Sequence, residues 1–189
     1  MGRVIQFEPS ALANLRERLG AVESANEDLI AFARGHSGAV STIHSAVLAA
    51  IDAVNFESLV TTVTGDWPVI LGIDVVSLAL VVGNEAFLIG PHGVTMLEAQ
   101  IVDRALELLD EVELRAVDRG HILFGSGASD IAAEALIRLD CGPDLPYGLL
   151  ALGQRRAEQV RAGHGADLLR FLGQSLAAMI SRCLKQPIA

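Results

Sequence analysis

The stretch that decides the fold is Ala133-Glu134-Ala135-Leu136-Ile137-Arg138-Leu139, then Asp140-Cys141-Gly142-Pro143-Asp144-Leu145-Pro146, then Tyr147-Gly148-Leu149-Leu150-Ala151-Leu152-Gly153. The two apolar runs read as strands, and the Gly/Pro-rich segment between them carries turn chemistry, so the whole is a hairpin. Working outward, Asp74 to Val82 is a further apolar run with residues of both parities buried, as for a central strand covered on both sides. Gly83-Asn84 reads as a tight turn into a strand from Ala86 to Ile89. Val112 to Val117 and Ile122 to Phe124 are short strand candidates. Three helical patterns surround them. Phe56, Leu59, Val60, Val63 and Trp67 share a face that ends near Gly72. Thr95 to Leu109 places Leu97, Ile101, Ala105 and Leu108 in phase. The last, from about His164 to Leu184, buries Leu168, Leu172, Leu176, Met179 and Cys183. This order predicts an α+β domain with an antiparallel sheet flanked by helices.

Upstream of that domain the apolar positions Leu12, Leu15, Leu19, Val22, Asn26, Leu29 and Ala33 alternate by three and four, the a and d pattern of a heptad. Gly35 and Gly38 interrupt the composition but not the register, which resumes as His36, Val40, Ile43, Val47, Ala50 and Val54. One reading is a continuous coiled-coil helix from about Ser10 to Ala53 that pairs with its twin, with Asn26 bonded to its symmetry mate. The other is two shorter amphipathic helices packed on their own core. The first divides the chain into a dimerisation helix over 1–54 and a compact domain over 55–189.

Composition narrows the class. With 14 Lys and Arg against 23 Asp and Glu, the 189-residue chain carries −9 and lacks the clustered cations that nucleic acid demands. Eight aromatic residues (six Phe, one Trp, one Tyr) make a base-stacking surface unexpected too. A hydrophobic content of 51% excludes a disordered chain. The apolar run Val69 to Val82 is cut by Asp74 and is short of the roughly 18 residues of a membrane span. Two distant cysteines and a start with no secretory pattern lead to the expectation of a cytoplasmic protein.

Ser129-Asp130-Ile131-Ala132, running into the opening hairpin, resembles the carboxy-terminal hairpin of GAF domains. In that superfamily a segment of the type Ser-x-x-x-x-Pro-Leu precedes a turn and then Gly-x-Leu-x-Leu; here Arg138 stands where proline is usual. Asp28-Leu29-Ile30-Ala31-Phe32-Ala33-Arg34, Ile43-His44 and Phe56-Glu57-Ser58-Leu59 narrow the likeness. From about residue 10 onward the chain resembles an uncharacterised proteobacterial family, a domain of unknown function with a GAF-like domain after a long helix. The resemblance implies a GAF-like antiparallel sheet with the first and last helices bundled on one face and a pocket on the other. Phe87, His92, His121, Ser126, Ser129, Asp130 and Arg138 are the candidates for its wall.

Motifs with chemistry are few. Phe124-Gly125-Ser126-Gly127-Ala128-Ser129-Asp130 lacks the Gly-Lys-Ser/Thr end of a P-loop, the third glycine of a dinucleotide fingerprint and the Gly-x-Ser-x-Gly of a nucleophile elbow. It reads as a structural loop that borders the pocket. His121, Ser126, Ser129 and Asp130 are the residue types of a hydrolytic triad, but triads are set by geometry and not by proximity in sequence. His36, His44, His92, His121 and His164 show no metal-ligand spacing. Cys141 as a redox nucleophile would need a resolving partner, and Cys183 is expected on the opposite side of the sheet. The bilin-attaching Cys-His pair and the cyclic-nucleotide set of GAF domains are not found. No cofactor and no metal are expected. The reading is a non-enzymatic sensory or regulatory module, homodimeric, binding a small molecule and signalling to a separate partner protein. The alternative is an interaction or scaffold protein with a vestigial pocket.

Overall fold

The computed structural model describes residues 38–156 and 165–185. The seam positions Leu12, Leu15, Leu19, Val22, Asn26 and Leu29, and the passage through Gly35, lie outside the described residues. Helix α1 is described over 38–51, with Gly38 helical. Its Ile43, Ala46 and Ala50 are buried, with Val47 packed beside them, a spacing of three and four that lays one face on the domain's own core. The compact unit starts at Val40. Residues 40–54 therefore belong to it, and the sequence division at Asn55, which falls between α1 and the next helix, separates α1 from the unit it packs in.

Asn55 starts the next helix through a reciprocal cap: its Oδ1 accepts the Ser58 N–H at 2.8 Å while Ser58 Oγ accepts the Asn55 N–H at 3.1 Å. Helix α2 (Phe56–Thr61) widens into a π turn over Thr62–Asp66 and continues as α3 (Trp67–Leu71). Pro68 accounts for the widening. It has no N–H, its ring would crowd the carbonyl four residues back, and the Trp67 N–H reaches Thr62 O, five back. Trp67 is fully buried and donates its Nε1–H to the Ala46 carbonyl at 2.9 Å, tying this helix to α1.

Six strands form one antiparallel sheet: β1 (Val75–Val82), β2 (Glu85–Gly90), β3 (Gly93–Glu98), β4 (Val112–Ala116), β5 (Ala133–Asp140) and β6 (Tyr147–Gln154), in the order β3-β2-β1-β6-β5-β4. The opening hairpin is β5–β6, with Ile137 opposite Leu150 and Leu78 of β1 opposite Leu150 on its other side. Side-chain alternation gives the sheet two apolar faces. Val76, Leu78, Leu80, Ile137, Leu139 and Leu150 pack under α1, α2–α3 and α5 (Gly165–Lys185), which contributes Leu172, Leu176 and Ile180. At Gly173 a Cβ would collide with Ile137, so glycine lets α5 lie close on β5. The other face, with Ala79, Val81, Leu136, Leu149 and Ala151, is covered by α4 (Ala99–Leu108) and by a 3-10 segment, Ile122–Asp130.

Three expectations are corrected. The helix expected over Thr95–Leu109 starts only at Ala99, because Gly93–Glu98 pairs with β2 as an edge strand. Its buried face is Val102 and Leu106, while Leu108 is 89% exposed. Ile122 to Phe124 is the first turn of the 3-10 segment, started by a His121 cap, and not a strand. Cys183 does not lie across the sheet from Cys141: both belong to the helix-side cluster.

Candidate functional site

The helix-side face is filled by apolar packing from α1, α2–α3 and α5, apart from a cleft of about 410 Å³ lined by Ile137, Cys141, Arg170 and Gln174 among others. The buried polar groups of the sheet, Ser77 and Glu134, lie instead toward the face under α4 and the 3-10 segment. Phe124 and Ile131 fill most of that face. They sit against two glycines: a Cβ on Gly153 would come within 2.7 Å of Val75 and 2.8 Å of Phe124, and one on Gly120 within 2.6 Å of Ile131. Leu123, Ala128, Leu136 and Leu149 complete the filling.

Besides clefts of about 870 and 480 Å³ around Arg138 and Tyr147, this side holds a cavity of about 150 Å³ between the β2–β3 turn and the start of the 3-10 segment. Ser77, His92, Thr95, Phe124 and Ser126 are among its walls. Ser77 is the buried polar group there, and its Oγ–H donates to the Leu123 carbonyl at 2.7 Å. That bond ties β1 to the 3-10 segment at the cavity floor. His92, Thr95 and Ser126 are exposed at the mouth.

The sequence candidates separate into three groups. His92 and Ser126 are brought together on this cavity. Phe87 lies on the other face of the sheet, opposite Met96 and in register with Leu80, which packs under the helices. The remaining four bond within the fold. Ser129 Oγ meets Asp130 Oδ1 at 3.3 Å, and both residues are exposed. His121 Nδ1 accepts the Leu123 N–H at 3.3 Å, and its own backbone N–H donates to Glu134 at 2.6 Å. Burial, the largest influence, lowers the His121 pKa; Arg115 lowers it further, against Glu134 and Glu113, which raise it. Arg138 donates to three carbonyls at the end of α4: Leu106 at 2.5 Å, Leu109 at 2.6 Å and Asp110 at 2.9 Å. It supplies the donors that a helix C-terminus lacks.

Two residues escaped the sequence reading. Glu134 is buried, takes the His121 N–H on one oxygen, and binds Arg115 with the other, at 2.9 Å to Nε and 2.7 Å to a terminal nitrogen. Ser77 was the other. Ser77 is the one polar residue of β1, and that oddity is the signal that could have found it; Glu134 shares β5 with Arg138 and Asp140 and carries no such local mark.

Chemically, the arrangement positions and holds more than it transforms. The His121 acceptor nitrogen is taken by a backbone N–H, so it does not stand as a base on Ser126 or Ser129. Among the described residues no group of three His, Cys, Asp or Glu could hold a metal ion, and no helix is long and apolar enough to cross a membrane. Burial, with Asp140 beside it, pushes the Cys141 thiol up to about 11, away from the thiolate that nucleophilic chemistry uses.

Comparison with solved structures identifies the fold as GAF-like. The GAF domain of a two-component sensor histidine kinase from Bacillus halodurans aligns at 14% identity and a TM-score of 0.51, over 69% of this chain and 96% of that one. The GAF domain of an Acinetobacter phosphoenolpyruvate-protein phosphotransferase aligns at 12% identity and 0.53, over 77% and 94%. The phycocyanobilin-bound GAF domain of a cyanobacterial phytochrome aligns at 14% and 0.53, over 76% and 93%. No curated protein matches the chain. One family, described as "Protein of unknown function, DUF484", matches residues 1–185.

Proposed function

The chain belongs to the DUF484 family, and from that premise we propose that it is a non-enzymatic, homodimeric sensory or regulatory module that binds a small molecule and signals to a separate partner protein. The observation that carries the reading is the cavity closed by the Ser77–Leu123 bond. It lies where the sheet meets its irregular cover, and it opens past His92 and Ser126. Its size limits the ligand: about 150 Å³ is well below the roughly 300–1,000 Å³ of pockets for drug-sized molecules. A compact polar metabolite fits that space, and a tetrapyrrole does not. The two-component and phytochrome neighbours supply the analogy with sensing, at the level of fold only.

Homodimerisation draws support from the strip between α1 and α5. His44 stacks edge-on against Phe171 with ring centroids 6.2 Å apart, and Leu48, one turn further along α1, is 63% exposed. Phe171 and Ile51 are exposed as well. A twofold partner would bury this strip.

The filling of the same sheet face by Phe124 and Ile131 favours a second reading, an interaction protein whose pocket is vestigial. Native mass spectrometry of the freshly purified chain separates the two. The sensory reading expects a reproducible small adduct that disappears in Ser126→Phe, which closes the cavity mouth. No adduct, with an unchanged melt in Ser126→Phe, selects the second reading. Sedimentation equilibrium of the wild type and Leu48→Glu tests the dimer, and a monomer at micromolar concentration would refute it.

A further inference from the structure

The two edges of the sheet differ in kind. At one edge, β4 carries Glu113 and Arg115 inside the strand, paired to each other at 3.0 Å, and its Val112 and Leu114 pack against the helix-side core. Charges placed in this way guard an edge against pairing with another chain. At the other edge, β3 reads Gly93-Val94-Thr95-Met96-Leu97-Glu98, with no charge before its last residue. Val94 is 65% and Met96 62% exposed.

The register places these side chains on one surface. Val94 is opposite Ile89, Met96 opposite Phe87, and Glu98 opposite Glu85, while Val82 of β1 is opposite Glu85 on the other side. Ile89 and Leu80 belong to the helix-side core. Val82, Phe87, Val94 and Met96 thus continue the helix-side face past the point where the helices cover it, and Val82 is 51% exposed. Glu85 and Glu98 close this apolar strip at one end. They face each other directly across two strands, a like-charge pairing that costs stability in a sheet. Among the described residues no Lys, Arg or His lies within ion-pair distance of either.

We propose that β3 is a docking edge for an extended segment of a different protein, added as a seventh strand. That segment carries apolar side chains at alternate positions, to lie over Val94 and Met96, and a Lys or Arg at the end that meets Glu98 and Glu85. The backbone groups along the edge supply the hydrogen bonds of the addition, the strip supplies the apolar contact, and the unpaired glutamates set polarity and sign. A second copy of β3 fits worse, because it offers Glu98 again and no cation. The inference does not depend on whether the cavity beneath the β2–β3 turn is occupied.

The test uses the full chain and two capped synthetic peptides, Lys-Thr-Val-Thr-Val-Thr-Lys, whose valines and lysines share one face, and the same sequence with both lysines replaced by glutamate. Binding is read by fluorescence anisotropy and by hydrogen exchange at the amides of residues 94–97. The lysine peptide is expected to slow exchange there and to bind at least about fivefold more tightly than the glutamate peptide. The double variant Glu85→Gln/Glu98→Gln should lose that preference, and Met96→Lys, at an exposed position that folding tolerates, should reverse it. Equal binding of the two peptides, or no change in exchange at residues 94–97, overturns the proposal. So does dilution-dependent protection of these amides in the protein alone that Met96→Lys abolishes, since the occupant would then be a second copy.

Discussion

Replacing Glu134 tests whether the irregular cover of the sheet is held by a buried carboxylate. In Glu134→Ala, Arg115 loses its contacts at 2.9 and 2.7 Å, and the His121 N–H loses its acceptor at 2.6 Å. The Arg115 side chain is 43% exposed and returns to water, so its share is discounted to the value of a surface pair, about 0–1 kcal/mol. The abandoned His121 N–H and the emptied volume add roughly 1–3 kcal/mol. The total is about 1–4 kcal/mol. Glu134→Gln keeps an oxygen for the N–H and gives up the charge, which costs about 1–2 kcal/mol. Urea unfolding is the assay, read on the emission of Trp67, the one tryptophan in the chain and fully buried. Arg115→Met strands the charge on Glu134, whose side chain is 1% exposed, and should cost at least as much as Glu134→Gln. An alanine variant within about 0.5 kcal/mol of wild type, the range of an ordinary surface substitution, would refute the reasoning.

Arg138→Leu should cost about 1–2 kcal/mol with no ligand present, because water replaces an exposed guanidinium at the α4 carbonyls only in part; an unchanged urea midpoint would sink that role. His121 has its folded pKa held below the ordinary value of about 6.5, so the unfolded chain takes up the proton first. The stability this residue contributes is therefore complete above that pH and is lost as pH falls below it, and His121→Gln should flatten the acid-side slope relative to wild type. With its thiol pushed up to about 11, Cys141 should react with a disulfide reagent at pH 8 more slowly than the half-buried Cys183; equal rates, measured by peptide mapping, would contradict the burial argument.

The strands that sequence reveals best are those buried on both faces. β1 and β6 appear as near-continuous apolar runs, and β5 as one interrupted at Glu134 and Arg138, because α helices lie on one side and α4 with the 3-10 segment on the other. β3 failed for the complementary reason. Exposed along most of its length, with only Leu97 packed against the second-face core, Val94-Thr95-Met96-Leu97 has no alternation to display, and it runs directly into the true helix, so a helical period absorbs it and shifts the phase from Val102 and Leu106 to Leu108. Site residues divide in the same way. His92 and Ser126 stand in turn and glycine-rich compositions, which local sequence displays. The partners of Arg138 lie in Leu106, Leu109 and Asp110, a distance along the chain that no local pattern spans. An Arg in place of the usual proline could suggest a charge seeking a partner, but not that the partner is a helix end.

The polar groups that the sheet directs into its second face share one task. Ser77 binds the Leu123 carbonyl, Glu134 the His121 N–H, Arg138 the end of α4, and Tyr147 donates its O–H to Asp103 of α4 at 2.9 Å. Each ties the sheet to a segment that cannot satisfy its own backbone or needs its position fixed. Among the described residues the helix-side face shows no such tethers from the sheet; the helices there meet it by apolar packing and bond to one another, Trp67 to the Ala46 carbonyl and Arg182 to those of Ile51 and Ala53. Of the four tethers, Ser77 alone also lines the cavity. Its neighbours Val76 and Leu78 point the other way, into the core beneath the helices. A ligand that competes for the Ser77 hydroxyl would thus act on a strand whose adjacent residues touch both the cavity and the helix layer, as Leu88 and Ile89 of β2 also do. If occupancy of this cavity is read on the helix side, β1 and β2 are the shortest covalent routes for it.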